Sequence, residues 1–225
     1  MIAQYWGKRD TASIEKVMPV ALYTNLLSGG IFTVLALMIP GGLMHIFTND
    51  PLLISNGASY LRAVALSYVF CGISQIYLIL LKNTGYATVS SRISCTAVVV
   101  NIICNAILIY GLLGLPALGI QGASYATVIA RLVELVWSYL ETKQSGRVQI
   151  IWKKMFHAAD AVLTKDFWRY TMPVLGAALV WGIAYVSYSV IMGHMGSDAV
   201  AAVGAAGMYT WLLNGAVAMA KMGGQ

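Results

Sequence analysis

The chain has 225 residues, of which 59% are hydrophobic and 10% charged, and its formal net charge is +6 at pH 7. About a quarter of the residues of a soluble domain are charged, so this balance excludes an ordinary soluble domain and defines an integral membrane protein. The Lys and Arg residues fall in short gaps between apolar runs rather than along one face, which speaks for membrane topology and against nucleic acid as a partner.

From Met1 to Lys16 the chain carries Lys8, Arg9 and Lys16 with Asp10 and Glu15, lacks the basic-then-apolar order of a signal peptide, and reads as a cytoplasmic loop. A chain that opens in such a loop suggests that upstream sequence is missing. The uncharged run from Val17 to Asn49 exceeds the roughly 20 residues a helix needs to cross the hydrocarbon, which places a first span at about Val20 to Ile39. Pro40, Gly41 and Gly42 are expected to break it. Asp50 followed by Pro51 marks a helix start, N-cap and first helical position, for a second span at about Tyr60 to Leu81. The uncharged run from Ile93 to Ala130 is too long for one crossing. Gly111, Gly114, Pro116 and Gly119 divide it into a tight hairpin of two spans, Ile93 to Leu112 and Leu118 to Tyr139.

A polar interval follows, in which Lys143, Arg147, Lys153, Lys154, Lys165 and Arg169 alternate with large apolar residues such as Ile150, Trp152 and Phe156. It suits either a segment lying along a membrane surface, its cations toward anionic head groups, or a solvated cytoplasmic loop. Met172 to Met192 is the fifth span, Gly193 to Ser197 a turn, and Ala199 to Ala220 the sixth. The short loops set the orientation, because Lys and Arg resist translocation: with the N-terminus inside, the inner segments hold nearly all the cations and only Arg62 runs against the pattern.

Polar and small residues inside the spans are the candidates for function. Gly122, Ala126 and Ala130 recur every four residues, as do Ala178 and Gly182, which lets helix backbones approach closely. Arg131 and Glu134, at i and i+3, can pair on one helix face at a depth where an unpaired charge is expensive. They either lock two helices together or line a translocation path. Asn101 and Asn105 share one face of an apolar helix and Gln75 sits mid-span, so these amides either hydrogen-bond neighbouring helices or line a cavity for a polar solute. Trp181, Tyr185 and Tyr188, at i, i+4 and i+7, form an aromatic stripe suited to interhelix packing or to a flat or cationic organic molecule. No catalytic or metal-binding residue is assigned. Cys71, Cys95 and Cys104 lie in apolar runs without CxxC spacing, the three His are far apart in sequence, and no P-loop, HExxH, GxSxG or GxGxxG pattern occurs.

Several stretches, in order, resemble the multidrug and toxic compound extrusion (MATE) family: Gln4 to Asp10, Phe47-Thr48-Asn49-Asp50, Asn101 to Gly111, Leu115 to Ala123, and Gly193-His194-Met195-Gly196. The resemblance implies an all-α polytopic membrane fold, with about six transmembrane helices corresponding to helices three to eight of a twelve-helix, two-lobe transporter. Residues 1–142 would be the end of the first lobe, 143–170 the basic cytoplasmic linker and 171–225 the start of the second lobe. The implied activity is cation-coupled efflux, H+ or Na+ against organic cations or drugs, by alternating access between two helix bundles in the plasma membrane (the cell inner membrane). Partners would be membrane lipids, a small amphipathic organic substrate and the missing helices of the same fold. The complete transporter would need no cofactor beyond its coupling H+ or Na+. The chain departs from the family where Met172-Pro173-Val174 is followed by Ala177 and Ala178, at the positions of an Asn-Glu pair implicated in coupling, while Trp181 keeps its place. Two other readings remain at this point. One is a lipid-linked oligosaccharide flippase of a related superfamily, expected to show several cavity-lining Arg where this chain offers only Arg131 and Arg62. The other is a non-transporting, truncated membrane protein.

Overall fold

The computed structural model describes residues 1–114, 116–144, 161–196 and 198–207, and every regular element among them is helical. The elements are α1 (Ile2–Gly7), α2 (Thr11–Met38), α3 (Pro40–Phe47), α4 (Pro51–Asn83), α5 (Ala87–Tyr110), a single 3-10 turn (Leu112–Gly114), α6 (Gly119–Gln144) and α7 (Ala161–His194), with α8 at Asp198–Gly207. Four of them, α2, α4, α5 and α7, are long and apolar enough to cross a membrane. At 26 residues α6 has the length, but Arg131, Glu134, Glu141 and Lys143 lower its hydropathy. The sixth expected span, Ala199 to Ala220, is described only as far as Gly207.

The opening segment differs from its sequence reading. Instead of a loop it forms α1, whose Tyr5 and Trp6 pack against the core, and α2 starts at Thr11 rather than near Val20. The reason is a strong local cap. Asp10 accepts the Ser13 N–H at 3.0 Å and the Ser13 hydroxyl at 2.6 Å, which satisfies orphan donors of the first turn. These two bonds, the hydroxyl's foremost, hold the Asp10 carboxyl below the usual carboxylate range. At the other end, Pro40 breaks α2 as expected, but the chain turns at Ile39 (φ −132°) and restarts at once, with Pro40 in the first turn of α3. The α4 start follows the sequence pattern: Asp50 accepts the Leu52 N–H at 2.8 Å and Pro51 opens the helix. The α5 end does likewise, since Gly111 takes a left-handed conformation (φ 70°) that an L side chain rarely adopts. The Leu118 N–H then bonds the Leu108 carbonyl at 2.9 Å and closes the hairpin.

The centre of the bundle is α4, which packs against α2, α3, α5 and α6. Ile14, Met18 and Leu22 of α2 meet Ile76, Tyr77 and Leu80 of α4 in the main core. Leu78 and Leu81 meet Ile93 in a second cluster on the α5 side. Buried hydroxyls tie the helices where a free one would be costly: Thr33 donates to the Ala65 carbonyl at 2.9 Å and Ser90 to the Leu78 carbonyl at 3.2 Å. The small-residue stripe of α6 is a packing face. Ala126 and Ala130 are buried, and a Cβ on Gly122 would stand 2.5 Å from the Leu108 carbonyl oxygen of α5.

A different surrounding holds for α7. Among the described elements it packs on α2 and α3 alone, and its spanning window contains no buried residue. Its Ala178 and Gly182 meet no packing partner among the described residues, where nothing lies within 4 Å of a Cβ built on Gly182. Near its end, Gly193 sits so close to the Phe47 backbone carbonyl of α3 that a Cβ would collide with it. The first turns of α7, from Ala161 to Arg169, fall within the stretch expected as linker. The rest of that stretch, 145–160, lies outside the described residues.

Candidate functional site

The polar side chains singled out in α4, α5 and α6 largely converge. Gln75, Ser94, Asn101, Thr127, Arg131 and Glu134 line one cleft of about 440 Å³ between these three helices. The convergence follows from packing: α6 lies against both α4 and α5, and its small residues let the backbones come near enough for side chains of all three to meet.

The charged pair forms as its spacing permits. One Arg131 guanidinium nitrogen donates to Glu134 Oε2 at 2.8 Å. The two partners are unequally covered, with the Arg131 side chain 39% exposed and that of Glu134 3%. The same Glu134 oxygen accepts from the Ser74 hydroxyl of α4 at 3.1 Å, so the pair also bridges helices. Ser74 was not singled out from the sequence. A Ser inside a helix usually bonds its own backbone, and this one also donates to the Cys71 carbonyl, so nothing in the sequence distinguishes it.

Asn105 donates to Asn101 Oδ1 at 3.0 Å along α5. Its own Oδ1 is buried without a partner among the described atoms, and it does not line the cleft. The α7 aromatics are elsewhere. Trp181 and Tyr185 stack at 5.8 Å with 13° between their planes, but they and Tyr188 are exposed, at 71%, 62% and 47%, and none of the three reaches the cleft. A second cavity, of about 470 Å³ and almost entirely apolar, opens between α3, α4 and α7 and is walled by Met44, Phe47, Tyr60, Ser189 and Gly193. Sequence periodicity gave no sign of it, because it depends on where α7 comes to rest.

A bundle of membrane-length helices enclosing a charged pair in a polar cleft defines a multi-pass helical membrane protein. Residues 1–107 match the model of the MatE family, in line with the resemblance carried by the motifs. It is similar to the uncharacterized transporter YisQ of Bacillus subtilis (strain 168), 22% identical over 88% of this chain and 44% of that protein. It is also similar to the probable multidrug resistance protein YoeA of the same organism, 23% identical over 91% and 44%, and to the probable multidrug resistance protein NorM of Agrobacterium fabrum (strain C58 / ATCC 33970), 23% identical over 92% and 44%. The chain thus spans a little under half the length of the curated relatives it matches. Its fold is shared with a solved MOP superfamily transporter from Pyrococcus furiosus, with a TM-score of 0.74 over 94% of this chain and 46% of that one, at 23% identity. The binding pocket of that archaeal transporter has reverse polarity, which suggests a different function for it.

Proposed function

We propose that this chain supplies about half of a drug-efflux antiporter of the plasma membrane, in which H+ or Na+ drives the export of amphipathic organic cations. The observation that carries the reading is a cleft lined by Gln75, Asn101 and Arg131 inside an apolar bundle. Intramembrane ionisable groups are costly and concentrate where a protein moves ions or solutes. In this reading residues 1–142 end the first lobe, 143–170 form a cytoplasmic linker and 171–225 begin the second lobe. Among the described elements α7 contacts only α2 and α3, which supports treating it as part of a separate bundle. Alternating access follows from rocking one bundle against the other.

Glu134 is held by Arg131 and Ser74, so in this chain it acts as a structural carboxylate. The group that titrates or binds Na+ belongs to the further helices of the same fold, since antiport needs a site whose charge state differs between two conformations. The exposed Trp181, Tyr185 and Tyr188 stripe is then a surface offered to the substrate once the remaining helices enclose it. The test is to supply the remaining segments, measure ion-driven efflux of a cationic dye from vesicles, and neutralise each membrane carboxylate in turn. Efflux abolished by a carboxylate outside this chain supports the assignment. Efflux that survives every such change but fails in a normally folded Glu134→Gln protein refutes it, as does a complete protein with no ion-driven efflux.

A further inference from the structure

The cleft at the charged pair is not isolated. A second cavity of about 340 Å³ lies along the same α4 and α5 seam, where Gln75, Lys82, Ser90, Ser91 and Ser94 join Leu78 and Ile79 in its lining. The two meet at Gln75 and Ser94, which line both. Together they trace a polar furrow from Lys82, in the last turn of α4, to Arg131 and Glu134 in the middle of α6. Hydroxyls and amides recur along it between apolar residues, in helices whose outward faces are apolar: Val99, Ile102 and Ile103 of α5 are all more than half exposed.

The Arg131 side chain, 39% exposed beside a nearly buried Glu134, requires an explanation at mid-helix. A guanidinium at membrane depth must meet protein or water, and one bond to Glu134 leaves several of its donors unused. Several waters fit in a cleft of this size, and its polar lining gives each the two or more partners a bound water needs. We infer that the α4 and α5 seam is a hydrated passage through which water and small hydrophilic solutes reach the Arg131 and Glu134 pair from the Lys82 end. The passage stands independently of what the protein carries, since it concerns access to the pair and not transport.

The test uses the full chain in sided vesicles, with Cys71, Cys95 and Cys104 replaced by Ala and a single Cys at Ser91, Ser94, Thr127 or Ile102. The probe is a membrane-impermeant methanethiosulfonate. Its reaction needs the thiolate, which is suppressed at an apolar site, so Ser94→Cys and Thr127→Cys should react at least about tenfold faster than Ile102→Cys. Both should react from the side on which Ser91→Cys, at the mouth, reacts. Adding Gln75→Phe, which fills the junction of the two cavities, should slow Thr127→Cys by about tenfold while Ser91→Cys keeps its rate, showing that the protein is still folded. Thr127→Cys as inert as Ile102→Cys, reactive from the opposite side, or indifferent to Gln75→Phe overturns the passage.

Discussion

Replacing Glu134 by Gln tests how much the charged pair holds the bundle together. The Glu134 side chain is 3% exposed and accepts two bonds at one oxygen, 2.8 Å from Arg131 and 3.1 Å from Ser74. The amide oxygen of Gln can still accept from Ser74, so the main loss is the charge-assisted bond to Arg131, worth about 1.5–3 kcal/mol when buried. Arg131 is 39% exposed and recovers part of this from solvent, which brings the expected cost to about 1–2 kcal/mol. For a chain of this size that lowers Tm by about 2–8 °C. Thermal unfolding of the purified chain in detergent, followed by circular dichroism, reads the shift. The Arg131→Gln, Glu134→Gln double variant should regain at least half the loss, because it removes the unpaired charge together with its partner. An unchanged Tm in the single variant, or losses that simply add in the double, would show that the pair contributes no coupling energy.

Two further outcomes follow from local geometry. Gly122→Ala drives a methyl against the Leu108 carbonyl and should cost about 1–3 kcal/mol, whereas Gly182→Ala meets open space and should be neutral or stabilise by up to about 1 kcal/mol; Tm measured on both variants checks the contrast, and equal losses would contradict it. Asp10→Asn should lower Tm at neutral pH, since the folded carboxyl lies below its ordinary pKa and so contributes stability above the unfolded value. That contribution declines as pH falls below about 4, so the two Tm curves should converge there and stay apart above it.

Much of the helical plan was legible because it is written in local chemistry. Asp50 and Pro51 announce α4, Gly111 ends α5, and the Gly and Pro residues that follow turn the hairpin. Helix starts near charges were read less well, since counting uncharged runs locates what lies in the hydrocarbon and not where a helix begins. Thus α2 incorporates Glu15 and Lys16, and α7 incorporates Lys165, Asp166 and Arg169. For the site, Gln75, Asn101, Arg131 and Glu134 could each be picked out as polar within an apolar helix, but their meeting depends on α6 lying between α4 and α5, which no single helix encodes. Ser74 was missed for that reason. The α7 aromatics show the converse limit: periodicity correctly placed Trp181 and Tyr185 on one face, where they stack, but a periodicity does not say what that face meets.

The close seat of Gly193 on Phe47 gives α7 the mechanics of a beam clamped near one tip. At 1.5 Å per residue its 34 residues extend about 51 Å, so a tilt of only about five degrees about that seat carries the Ala161 end through about 4 Å. A side chain at position 193 would act as a shim, altering angle at the clamp and, by leverage, position at the far tip. One of the three glycines of the helix therefore stands where a change of size would be most amplified.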